Sequence, residues 1–190
     1  MKHGSSRELH DHWRARRGSR VAPERADIDP GAIRKALADV FLLGSEAGMD
    51  PGFRLAGTRV CALFGRELKG EAFVQLWDNA DRAAVRDLLA IVAQEMVGLL
   101  AGSTGRTRDG LRADLELLLL PLRHRGRGHW RMIGTLAPLD PPFWLGGAPL
   151  EFLQLRGWRH VGAAAEARPL PRLVPGSRPH GFVVHDGGLS

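Results

Sequence analysis

The stretch "LRADLELLLLPL" (111–122) constrains the fold more than any other part of this 190-residue chain. Read as a strand, it sends alternate side chains to opposite faces. Ala113, Leu115, Leu117 and Leu119 share one face, while Asp114, Glu116, Leu118 and Leu120 share the other, with Leu122 extending that row. A strand with leucines on both faces needs a cover on both. Covering Leu118, Leu120 and Leu122 is worth on the order of 5 kcal/mol by area, an upper figure.

The first cover is a helix predicted over Arg82–Met96 with Asp81 as its cap. Val85, Leu88, Leu89, Val92 and Met96 fall at helical spacing and make a single apolar stripe. For the second cover there are two sources, the N-terminal segments of the same chain or a second chain. "SSRE" has capping-box spacing, Ser5 with Glu8, and opens a helix running to about Arg17 with Leu9 and Trp13 on one face. Gly18 stops it. "DIDPGAIRKALADV" predicts a second helix, with Asp29 as cap, Pro30 at the first position and a stripe of Ile33 and Leu37.

The remaining elements read as strands and short connections. "VFLLG" (40–44) is a buried strand. After a turn rich in Gly, Asp and Pro, "GFRLAGT" alternates Phe53, Leu55 and Gly57 against Arg54 and Ala56, which predicts a hairpin. "RVCALFG" and "GEAFVQLWDNA" are short helical or irregular pieces. "LLAGSTGRT" is a strand, "RDG" a tight turn, and "HWRMIGTLAPL" the last strand after a Gly-rich loop. Five antiparallel strands with helices packed on one face fit this order, an α+β fold, with the N-terminal helices on or near the other face. The expected organisation is an N-terminal helical extension (1–26), the domain proper (27–140), an ordered apolar and aromatic extension (141–162) and a flexible tail rich in Pro and Gly (163–190).

These residues in this order resemble a PAS domain, and more closely the small PAS-like family of alphaproteobacteria. The resemblance runs through "DIDPGAIRKALADVFLL" (27–43), "FRLAGTRVCALFGRELKG" (53–70), "LWDNADRAAV" (76–85), "ADLELLLLPL" (113–122) and "GTLAPLDPPFWLG" (134–146), and covers roughly Leu9 to Gly162. It implies a sensor or interaction module without catalysis of its own. In that group the sheet and long helix enclose a pocket that holds haem, a flavin, a small metabolite or nothing. Partner contacts often use the outer sheet face and the N-terminal helix.

The chemistry-bearing residues fit a sensor better than an enzyme. The lone Cys61 lacks the sequence surround of the light-oxygen-voltage photosensors and reads as a small buried side chain. The long helix carries no histidine to ligate haem, so no haem is expected, and without that cysteine surround no flavin is expected either. His124 and His129 flank an Arg/Gly loop, and His180 and His185 sit in the tail without metal spacing. Asp78 and Asp81 read as turn and cap residues. Asp114 and Glu116 read as a solvated face pairing with loop arginines. The expected ligand pocket is Phe53, Leu55, Phe64, Leu76, Trp77, Leu89, Leu117 and Met132, with Gly57 and Gly134 admitting either a ligand or a bulky neighbour. The expected interface to a protein partner or a second copy is Leu9, Trp13, Leu118 and Leu120. Apolar residues near Phe182–Val184 suggest a short docking motif. Basic residues number 27 against 21 acidic, a net charge of +6, almost all arginine. That balance supplies the alternative, an arginine-rich nucleic-acid-binding accessory protein. The absence of a long apolar run or signal-like start, with a single cysteine, argues for a cytoplasmic protein and against a membrane span.

Overall fold

The computed structural model describes residues 1–45, 49–123 and 130–161. His124, His129, His180, His185, the Phe182–Val184 motif and the expected tail lie outside the described residues. The elements are α1 (Gly4–Arg17), β1 (Val40–Ser45), β2 (Gly52–Ala56), α2 (Thr58–Phe64), α3 (Arg82–Glu95), β3 (Gly98–Thr107), β4 (Arg112–Leu122), β5 (Trp130–Pro138) and β6 (Leu150–Val161). The strands form one sheet in the order β2-β1-β5-β4-β3-β6, and every neighbouring pair is antiparallel. As "LRADLELLLLPL" demanded, β4 lies in the interior, between β5 and β3. No helix among the described residues is long and apolar enough to cross a membrane.

The two faces are covered separately. On the inner face α2, α3 and a 3-10 turn at Phe73–Leu76 close over Leu115, Leu117 and Leu119. The outer face carries α1, which lies across β4 and β5 and buries Leu118, Leu120 and Leu122. The five strands read from the sequence gain a sixth from the segment expected to be ordered after Pro142. β6 pairs along the full length of β3, from Gly98↔Val161 to Thr107↔Leu150.

Four local readings change, each for a physical reason. Ser5 does not close a capping box with Glu8. His3 is the N-cap, its ring accepting from the Ser5 amide, because the Ser5 hydroxyl is taken by the buried carboxylate of Asp39. The second helix is instead a series of 3-10 turns, including Pro30–Ile33 and Leu37–Asp39, although Asp29 still accepts from the Gly31 amide. Three residues per turn bury Ile33 and Ala36 together and turn Leu37 outward. Asp81 precedes α3 but makes no side-chain cap; its carboxylate accepts from the Leu155 amide and so clamps β6. Met96 ends α3 in the left-handed region (φ 53°) and packs against the outer cluster, leaving Val85, Leu88, Leu89 and Val92 as the buried stripe.

The tight turn at Asp109–Gly110 forms as read. Gly110 adopts φ 83° and its amide donates to the Thr107 carbonyl, which suits glycine better than any residue with a Cβ. In β2 one residue is inserted: Leu42 pairs with Leu55, but Leu43 pairs with Phe53, so Arg54 is a bulge. The bulge breaks the expected alternation. Phe53 stays inside and Leu55 moves to the outer face, 45% exposed.

Candidate functional site

The inner face is lined by an aromatic chain. Phe41 of β1 meets Phe53 of β2 edge-on at 5.6 Å between ring centroids and stacks on Phe73 at 5.6 Å. Phe53 and Phe73 lie 5.7 Å apart, and Phe73 meets Trp77 at 5.9 Å. Val85, Leu89 and Val92 of α3 and Leu63 and Phe64 of α2 pack against this chain from above, with Leu117, Leu119 and Met132 in the sheet beneath. Of the expected pocket residues, Phe53, Phe64, Leu76, Trp77, Leu89, Leu117 and Met132 gather in this one cluster. Leu55 does not, because of the bulge at Arg54. Phe41, Leu150 and Leu153 join the cluster without having been singled out. The run "VFLLG" has no alternation to say which side Phe41 takes, and β6 had not been read as a strand.

The two glycines expected to admit a ligand or a bulky neighbour both serve close packing. A methyl group at Gly134 would stand 2.5 Å from Cζ of Phe41, so the ring edge occupies that space. One at Gly57 would meet the carbonyls of Leu37 and Ala38. Two polar atoms are nonetheless stranded in this apolar interior. The Trp77 indole N–H and the Ser103 hydroxyl, on residues 1% and 2% exposed, find no hydrogen-bond partner among the described residues. Cys61 is half-buried on α2 against the same cluster. Burial pushes its thiol pKa up, and the neighbouring Glu67 carboxylate adds to that, the reverse of an activated nucleophile.

The outer face joins an apolar stripe to a polar latch. Leu9 and Trp13 of α1 pack with Leu118, Leu120, Leu122, Ile133 and Ile33. The Trp13 indole N–H donates to the Pro121 carbonyl at 2.8 Å. Thus Leu9, Trp13, Leu118 and Leu120, expected at an interface, are buried within the one chain: the N-terminal helix is the cover. At the start of α1 the Glu116 carboxylate accepts from the amides of Lys2 (2.7 Å) and His3 (3.0 Å), where an anion suits the helix dipole. Glu116 is therefore not on a solvated face. Burial works to raise its pKa, but the two amides, the Ser6 hydroxyl and the chain's N-terminal ammonium outweigh it and hold the carboxyl below the usual range. The Ser6 and Thr135 hydroxyls share a hydrogen bond of 3.1 Å.

Asp39 connects the two faces. Its side chain is buried just ahead of β1. It accepts from the Ser5 hydroxyl of α1 at 2.6 Å, and from Arg59 of α2 through Nε at 2.7 Å and Nη2 at 2.6 Å. Hydrogen bonding to Asp39 raises the Arg59 pKa further. One carboxylate thus holds a helix from each side of the sheet. Nothing in the sequence flags this role, since Asp39 sits in an ordinary "LADV".

Asp78 and Asp81 hold an edge. The Asp78 carboxylate accepts from the Gln154 amide at 3.3 Å, alongside the Asp81–Leu155 bond, so both tie the approach to α3 onto β6. Asp114 accepts from the Thr104 hydroxyl at 2.8 Å; the arginines of the Arg/Gly loop expected to pair with it lie outside the described residues.

No curated protein matches the chain. A solved structure of an RNA-binding light-oxygen-voltage receptor is similar at 20% identity and a TM-score of 0.43, covering 62% of this chain. The chain spans about a third (35%) of that one. A PAS domain family model matches residues 1–137, which takes in α1, both sheet faces and the Asp39 node. The chain belongs to the PAS domain family.

Proposed function

We propose that this PAS domain is a non-catalytic regulatory module that takes a small, largely apolar ligand against its inner face and reports occupancy through α1. The observation that carries the proposal is the Asp39 node. α2 packs on the inner cluster through Val60, Leu63 and Phe64, and Arg59 lies on the same short helix. A shift of α2 on ligand entry moves Arg59, and with it the carboxylate that anchors the first turn of α1. Releasing α1 uncovers Leu118, Leu120 and Leu122, which then serve a protein partner or a second copy. The stranded Trp77 N–H and Ser103 O–H support the ligand half of the reading. An unpaired buried donor costs about 1–3 kcal/mol, and a ligand bearing an acceptor recovers part of that.

Amide hydrogen exchange on Asp39→Asn tests it. The variant keeps the shape but loses the charge on which both helices are anchored. Exchange is expected to speed up about tenfold in the first turns of both α1 and α2, with β3 and β4 unchanged. Faster exchange in α2 alone, with α1 still protected, ends the proposal. Native mass spectrometry of the purified chain addresses the ligand: a retained small molecule lost in Trp77→Phe and Ser103→Ala supports it, and the bare chain mass under gentle conditions counts against it.

A further inference from the structure

Two unpartnered donors in an apolar interior call for an acceptor, and the strand register says where. Ser103 of β3 pairs with Leu115 of β4 and with Leu155 of β6. Leu115 belongs to the inner cluster, so the Ser103 hydroxyl faces inward as well. Trp77 bridges to Leu153, two residues before Leu155 on the same strand. Leu153 is in the inner cluster and Leu155 packs against it. Both donors therefore border one stretch of β6, with their partners on that strand roughly 7 Å apart.

That stretch is a seam. β6 is an edge strand of the sheet, and residues 77–81, the approach to α3, close its outer side. The Asp78 amide donates to the Leu153 carbonyl at 2.8 Å, and the Leu155 amide to the Asp81 carboxylate at 2.8 Å. β6 also lies beyond residue 137, where the family match ends. The donors thus stand beside a strand outside the matched span.

The surroundings restrict what can accept from them. Among the described residues the fully buried charged side chains are Asp39 and Glu116, and both anchor the start of α1. Arg82, at the start of α3, is occupied by the carbonyls of Trp77 and Gln75. An ionised ligand would lose its water here and gain no counter-charge. An indole N–H only donates, and a hydroxyl supplies one further hydrogen. A carbonyl oxygen has two lone pairs to receive both, and brings no donor that would itself need a partner.

We propose that the inner face takes an uncharged carbonyl compound with an apolar body, a ketone, ester or lactone, whose oxygen accepts from Trp77 Nε1 and Ser103 Oγ at this seam. The apolar body lies against Leu153 and Leu155. The inference rests on the ligand reading above, and adds the chemical class of the ligand and the end of the cluster that holds it.

The test uses the full chain and follows the Trp77 indole N–H resonance, identified by its loss in Trp77→Phe. The probes share one carbon skeleton: methyl pentyl ketone, heptane and heptanoate, each added at neutral pH. The ketone is expected to bind about tenfold more tightly than heptane, the worth of one net hydrogen bond, and to move the indole resonance. Heptanoate is expected not to bind. Ser103→Ala removes a donor that has no partner in the free chain, so its melting temperature is expected to hold while the preference for ketone over heptane shrinks. Trp77→Phe is expected to shrink the same preference. Equal affinity for ketone and heptane, heptanoate binding as well as the ketone, an unmoved indole resonance, or a preference that survives Ser103→Ala overturns the assignment and leaves the ligand reading standing. A water molecule that bridges the two donors, and still contacts the indole proton when the ketone is bound, also overturns it. If none of the three probes binds, the ligand reading fails and this inference fails with it.

Discussion

Single side chains here are positioned by what crowds or charges them more than by local propensity. Gly134 shows the crowding. The Phe41 ring edge fills the space a methyl group would need, and β5 cannot move away because β4 and β1 pair with it on both sides. Gly134→Ala is expected to cost about 2–3 kcal/mol by overpacking, read as a lowered denaturation midpoint. Gly102 of β3 is the control. The nearest atom to its added methyl is 4.0 Å away, so Gly102→Ala is expected to be neutral or slightly stabilising. Glu116 shows the charging. Its pKa is lowered in the fold, so the unfolded chain holds the proton more tightly. The stabilisation is full above the ordinary carboxyl value of 4.5 and is lost as pH falls through the depressed folded value. Acid titration of the wild type is expected to loosen α1 below that value, while Glu116→Gln is looser at neutral pH and flatter across the range. A wild-type slope unchanged by Glu116→Gln refutes the assignment. Little of this was legible beforehand. "SSRE" reads as a capping box because sequence spacing reports only local partners. Ser5 is instead claimed by Asp39, 34 residues away, and no local pattern encodes that.

Elements were legible where one period held and illegible where two competed. The leucines of β4 alternate without a break, so both of its faces, and the need for two covers, could be read outright. The α3 stripe holds through Val92 for the same reason. β6 was missed as a strand because register shifts at Gly102/Ser103 and Arg106/Thr107 break its alternation against β3, and because its anchors, Asp78 and Asp81, lie more than seventy residues earlier. Leu55 was placed in the pocket because a period of two carries no warning of an inserted residue. α1 shows how an element can be correct in extent while its role depends on packing. Leu9 and Trp13 mark its apolar face, yet whether the chain's own helix or another chain would cover Leu118 and Leu120 was open until the tertiary contacts were known. Trp13→Ala is expected to cost about 3–5 kcal/mol if α1 is integral to the fold, since it empties a large buried volume. Trp13→Phe keeps most of that volume but leaves the Pro121 carbonyl unpaired, for a loss of about 1–2 kcal/mol. Denaturant titration separates the two. Equal and negligible losses would mean that α1 adds nothing to stability.

At the scale of the whole molecule, a continuous sheet separates two apolar clusters, and a shared backbone alone would let each loosen without the other. Asp39 bridges them, because helices on opposite faces share its one carboxylate. Arg59 takes both oxygens and Ser5 shares one of them. Asp39 is almost fully inaccessible, so loss of either partner leaves a buried charge less well compensated, and loss of the second then matters more or less than it would alone. Arg59 is itself 56% exposed, which moderates the effect: a fully buried ion pair broken on one side costs about 3–5 kcal/mol, and an exposed pair well under one. Ser5→Ala and Arg59→Met are therefore expected to show a coupling of about 0.5–2 kcal/mol in a double-mutant cycle of unfolding free energies. Repeating the cycle in Asp39→Asn removes the shared carboxylate, so the coupling is expected to vanish. A coupling that survives Asp39→Asn would have to travel through the sheet itself. Strict additivity in the wild type would mean that the inner and outer faces respond independently, leaving a ligand at Trp77 with no way to reach α1.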